Sequence, residues 1–231
     1  MLIFPRKLGL ELVEIRVGLE QRRYRVHKNL LCSRIKHFRK IFDTLDINFC
    51  RQLLAAEVND AHFQTILQQE EDPDAFGLFI EWLYTNRLEP PTEPLSESEK
   101  IYVKLCGFAE LIGEHELADC AMTNLLSIYR SADKLPDLGI IRLAYENTMG
   151  ESKLRELMSD VLLWVSTHPE YRHNYPPGNL CQVIGSAALA YDFFEKLGEL
   201  SGNPMDPRRV FKPTQRLNCH YHWHGVEVQC A

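Results

Sequence analysis

Asp72-Pro73-Asp74-Ala75-Phe76-Gly77-Leu78-Phe79-Ile80-Glu81-Trp82-Leu83-Tyr84-Thr85-Asn86 is the stretch from which the architecture is read. An aspartate that can accept backbone N–H groups precedes a proline whose missing N–H costs nothing at the first helical position. An acid then falls in the first turn, completing a helix start. Phe76, Phe79, Ile80, Leu83 and Tyr84 recur at helical spacing, and the helix is expected to end near Asn86.

Upstream the period changes from 3.6 to 2. Val13, Ile15 and Val17 alternate with Glu14 and Arg16, and after Gly18-Leu19-Glu20-Gln21 the alternation resumes at Tyr24 and Val26. This predicts a hairpin of two half-buried strands. Ile35, Phe38, Ile41 and Phe42, behind Ser33, predict a short amphipathic helix directly after it. Asp43 to Asn48 read as a loop, and residues 63–68 are favoured as a third strand.

Downstream, Ser96 and Glu99 form a capping-box pattern ahead of Ile101, Leu105, Phe108, Ala109 and Ile112. Gly113 stops that helix and Glu114 starts its partner, so residues 99–129 are expected to form a helical hairpin. Beyond Pro136 the pattern is helical throughout: 138–145, 152–165 stopped by Pro169, and one helix over 179–197. The last two carry apolar stripes, Leu154, Leu157, Met158, Val161, Leu162 and Val165 in one, Val183, Ile184, Ala187, Tyr191 and Phe194 in the other. From Ser201, with Pro204, Pro207 and Pro213, an extended, solvent-exposed tail leads to a Cys/His cluster.

Composition bounds the function. The 231 residues are 45% hydrophobic and 25% charged, with a net charge of −6, as in ordinary globular proteins. The longest apolar run, Val161 to Val165, is far short of the roughly 20 residues a membrane span needs, so no membrane partner is expected. The order of apolar and charged residues at Met1 to Lys7 is not that of a signal peptide. Seven cysteines is an odd number, and Cys32, Cys50, Cys106, Cys120 and Cys181 lie among apolar neighbours. They read as reduced core residues of a cytoplasmic or nuclear protein.

Residues 1–42 hold eleven Lys/Arg and three Glu, whereas residues 43–100 hold three Lys/Arg and thirteen Asp/Glu. Packing of one segment on the other is as good an explanation as a nucleic-acid surface. The acidic total and the lack of a recognition motif argue against nucleic acid.

Two blocks, Val26-His27-Lys28-Asn29-Leu30-Leu31-Cys32-Ser33-Arg34-Ile35-Lys36-His37-Phe38-Arg39-Lys40-Ile41-Phe42 and Asp72 to Leu88, resemble the BTB/POZ domain in the family's order. Val103 to Ala118 resembles its helical hairpin. The resemblance covers residues 10–130 and implies an α+β fold: a small sheet with a helical cluster, followed by an all-helical extension. The division expected is an N-terminal segment 1–9, the BTB/POZ domain 10–130, a helical extension 131–200 and a tail 201–231.

Ile140 to Thr148, then Ser152 to Arg155, is similar to the helical region of BTB proteins of filamentous fungi. The resemblance implies a non-catalytic interaction module or adaptor, with a cullin-type ubiquitin ligase as one partner and a second copy of the chain as another. A general scaffold or transcription-associated oligomerisation protein is the alternative. Only nine residues precede the first strand, which argues against a swapped N-terminal helix in any homo-oligomer. No kelch, MATH or zinc-finger array follows.

Glu11 and Lys28 fall near where the family carries an acid and a base bordering a pocket; a surface ion pair is the plainer reading. His27 is expected to satisfy backbone groups at the strand-to-helix junction. No GxGxxG, GxxxxGK[ST], GxSxG or HExxH motif occurs, so no enzyme class is indicated. Cys219, His222, His224 and Cys230, with His220 spare, supply the ligand count of a structural zinc site, though not the spacing of a zinc finger. A reduced, partly ordered tail is the competing reading.

Overall fold

The computed structural model describes residues 8–53, 65–68, 71–90, 94–199, 202, 204–208 and 220–224. They group into two compact units, residues 1–88 with 112–114 and residues 89–111 with 115–231.

In the first unit the hairpin forms as the alternation dictates. β1 (Leu12–Val17) pairs antiparallel with β2 (Arg22–His27), with Val13 opposite Val26 and Ile15 opposite Tyr24. Val13, Ile15, Val17 and Val26 are fully buried. On the other face Glu14 lies 2.9 Å from Arg16, 4.0 Å from Arg23 and 3.9 Å from Arg25. The hydrogen bond from Arg16 leads in holding its carboxyl below the usual range. β3 (Thr65–Gln68) joins β1 in parallel, giving the order β2-β1-β3.

Between β2 and β3 the sequence reading needs correction. Two helices, α1 (Lys28–Arg34) and α2 (Lys36–Leu53), stand where one was expected, separated by Ile35 in extended conformation. α2 also runs through Asp43 to Asn48, read above as a loop. There the Thr44 hydroxyl donates to the Lys40 carbonyl at 2.8 Å, a bond made on the helix rather than against it.

α3 (Pro73–Thr85) matches its signals. The Asp72 carboxylate accepts the N–H groups of Asp74 and Ala75, each at 3.0 Å, and Asn86 ends the helix at φ +62°. Its buried Phe76, Phe79, Trp82 and Leu83 share a core with Leu31, Ile35, Phe38 and Phe42. Phe79 stacks on Phe38 at 5.9 Å. Each fully buried side chain of this size contributes about 1.5–3 kcal/mol relative to exposure.

The basic N-terminal stretch serves α3. Arg22 meets Asp74 at 2.5 Å. Arg34 donates to the Leu83 carbonyl at 2.6 Å and to the Asn86 side chain, with its guanidinium 4.4 Å from the Trp82 ring. Gly18, at φ +73°, brings the hairpin turn against Pro73, where a Cβ would lie 2.7 Å from the Pro73 ring.

The second unit is helical. α4 (Leu95–Ile112) begins one residue before Ser96, so the expected capping box does not form. The Pro94 carbonyl receives the first N–H groups, and Glu99, 4% exposed, takes Lys134 at 2.7 Å instead. α5 (His115–Ser131) follows the turn at Gly113, φ +72°. α6 (Leu138–Glu146) and α7 (Lys153–Thr167) are capped by Asp137 and Ser152. A 3₁₀ turn, Pro169–His173, follows.

Residues 177–199 form two helices rather than one, α8 (Pro177–Ile184) and α9 (Ala187–Glu199), interrupted at Gly185-Ser186. The α7 stripe is buried as expected. On α9 the face read from sequence is wrong: Leu189 and Phe193 are buried, whereas Tyr191 and Phe194 are 66% and 59% exposed. Register explains this, because the break at Gly185 lets α9 start a new phase. Cys106 is buried, but Cys181 is exposed and so is no core residue. Among the described residues no helix is long and apolar enough to cross a membrane.

Candidate functional site

Of the four proposed metal ligands, Cys219 and Cys230 lie outside the described residues, and His222 and His224 lie within them. The exposed tail expected from the sequence is corrected over 221–224, whereas His220 is exposed. Tyr221 is 2% and His222 3% exposed, because the turn packs on α5 and α7.

Two sets of contacts hold that turn. His220 Nε2 lies 3.0 Å from Glu156 and 3.7 Å from Asp160, and the Tyr221 hydroxyl donates to Asp160 at 2.8 Å. Lys153 and Lys196 complete the cluster at 2.7 and 2.5 Å from Glu156 and Asp160. Hydrogen bonds to Asp160 and Glu156 raise His220 to about 9. Burial alone would push Glu156 up, but its bonds to His220 and Lys153 win and bring it down to about 2.

The second set centres on Asp119 of α5. Its Oδ1 accepts the Trp223 backbone N–H at 2.7 Å and its Oδ2 the His224 N–H at 3.4 Å. His224 Nε2 stands 3.7 Å from Oδ2 and 3.1 Å from His222 Nδ1, so the three ligand-capable groups converge within 4.8 Å. Thr123, one turn after Asp119, donates its hydroxyl proton to the Asp119 carbonyl at 2.9 Å. It therefore receives His222 Nε2–H, at 3.3 Å, and the His222 lone pair sits on Nδ1. Burial holds His222 below the usual imidazole range, against the pull of Asp119. The Trp223 indole stacks on His115 at 4.7 Å.

Asp119 was missed by sequence reasoning. It sits 103 positions before His222, in a helix whose apolar stripe explained every neighbour, and only its burial sets it apart.

Glu11 and Lys28 do meet: Lys28 Nζ lies 3.3 Å from Glu11 Oε1, and the same ammonium lies over the Phe42 ring, 5.3 Å from its centroid. His27 ends β2 without capping α1. Its backbone N–H donates to the Tyr84 hydroxyl at 3.1 Å, which leaves the Tyr84 proton for His27 Nδ1 at 2.7 Å. The ring's partner is therefore the Tyr84 side chain of α3, not the backbone groups of the junction that the sequence suggested. A groove in the second unit is lined by Ser152, Lys153, Glu156, Tyr191 and Asp192, with Trp223 in its wall.

With the architecture in place, residues 6–105 match the family model of the BTB/POZ domain. The chain therefore carries a BTB/POZ domain, a module of protein–protein interaction, followed by a helical region, and its fold is α+β. The family is non-catalytic. No curated protein matches the chain.

Proposed function

We propose that the chain is a non-catalytic adaptor, linking a protein partner to a cullin-type ubiquitin ligase in the cytoplasm or nucleus. The BTB/POZ match carries this reading. The similarity of residues 140–155 to the helical region of filamentous-fungal BTB proteins supports it. So does α9, which leaves Tyr191, Phe194 and Leu197 exposed after the helices have packed, side chains of the kind that interfaces use.

Purification of the chain from its native cells should bring down a cullin. α4 is mostly buried, so the informative charge reversals are Glu97→Lys and Lys100→Glu at its exposed positions. They should abolish capture while the thermal transition stays unchanged. Repeated purifications without a cullin, but with other proteins or a second copy of the chain, would leave the scaffold or oligomerisation reading in its place.

A further inference from the structure

We infer that Asp119, His222 and His224 form a zinc-binding centre that fastens the turn 220–224 to α5. The inference is independent of the ligase reading.

The spacing fits the ion. Zinc bonds of 2.0–2.1 Å to nitrogen and 2.0–2.2 Å to oxygen, at tetrahedral angles, put neighbouring ligand atoms about 3.3–3.5 Å apart. The observed 3.1 Å from His222 Nδ1 to His224 Nε2, and 3.7 Å from His224 Nε2 to Asp119 Oδ2, bracket that value. The third separation, Asp119 to His222, lies within 4.8 Å, so side-chain rotation has to draw these two groups together for all three to bond one ion.

Ligand state and support point the same way. Thr123 already occupies His222 Nε2 and directs the Nδ1 lone pair towards the other two groups. Metal-bound imidazoles are oriented through their second nitrogen in this manner. The Trp223 N–H bond to Oδ1 orients the Asp119 carboxylate with Oδ2 towards His224. Two imidazoles and one carboxylate suit zinc, which stands high in divalent affinity and has no geometric demand of its own. Without a metal, one imidazole donates to the other; with it, both lone pairs and the carboxylate charge are used. All three donors lie in the second unit, so the centre needs no other part of the chain.

The test uses the full chain, purified without a His-tag and stripped with chelator. Zinc titrated by calorimetry should bind at one equivalent, and Asp119→Asn and His224→Gln should each weaken it by at least about tenfold. Asn keeps an oxygen for the Trp223 N–H, so the fold persists, and circular dichroism checks that it does. Manganese and iron(II), run as competitors, should bind more weakly. Absence of binding overturns the inference. So does binding that survives both substitutions but disappears in Cys219→Ser and Cys230→Ser, since the ion would then sit elsewhere in the tail.

Discussion

Asp119 Oδ1 accepts the backbone N–H of Trp223 at 2.7 Å across 104 positions of sequence. A buried carboxylate receiving backbone N–H groups makes charge-assisted bonds, stronger than neutral ones. Asp119→Ala removes both acceptors and leaves the N–H groups of Trp223 and His224 without them. The expected loss is about 1–3 kcal/mol from the docked turn in metal-free protein. Hydrogen exchange at the Trp223 amide should rise in Asp119→Ala and remain near wild type in Asp119→Asn.

Acid should release the same turn through α7. Glu156 is brought to about 2, and Asp160 is also held below its ordinary value despite burial, with His220 and Lys196 as hydrogen-bond donors. A carboxyl depressed on folding stabilises above its unfolded pKa, near 4.5, and that contribution is lost as pH falls through its folded value. Thermal stability should therefore decline between pH 4.5 and 2, with His220 charged throughout. Glu156→Gln should flatten the decline. An unchanged slope in that variant would place the acid sensitivity elsewhere.

Local signals were legible where one short segment determines its own structure. Asp72-Pro73-Asp74 caps α3 as written, and the alternation about Gly18 sets the hairpin register. What escaped depends on distant residues. Glu99 has the spacing of a capping-box acid, yet Lys134 competes for it and wins. Tyr191 and Phe194 share a stripe with Val183 only if the helix is continuous, and the break at Gly185 undoes that. The histidines of the candidate metal centre were visible as a cluster. Asp119 was not, because a lone acid on a helix gives no sign of what packs above it.

Gly107 should be intolerant of any side chain. A Cβ there would run into the Asn147 carbonyl at the end of α6, a backbone atom that cannot swing aside. Gly107→Ala should lower stability by about 1–3 kcal/mol, as overpacking does. Gly178, where a Cβ meets nothing within 4 Å and φ is not positive, is the control: Gly178→Ala should be near neutral. Denaturant midpoints for the two variants measure the difference.

Arg34 is not replaceable by lysine. Its fork reaches the Leu83 carbonyl and the Asn86 side chain, and its plane lies over Trp82. A lysine supplies charge but neither the planar stacking nor the paired geometry. Arg34→Lys and Arg34→Ala should both destabilise the first unit, by about 1–2 kcal/mol, with alanine the worse. Equal stability of Arg34→Lys and wild type in urea would show that charge alone suffices at the end of α3.

Finally, a chain ending at Arg130 should fold poorly. Such a chain keeps α4 and nearly all of α5, but loses the helices with which they form one compact unit. Part of the apolar surface buried in that unit would be uncovered, and Glu99 would lose Lys134. Surface of that kind, beside a buried acid with no cation, drives association rather than a stable monomer. Light scattering should show aggregation of the shortened chain at concentrations where the full chain stays clear, and its thermal transition should be lower or absent. A soluble 1–130 chain melting at the full chain's temperature would mean that the helices after 131 add nothing to the core they cover.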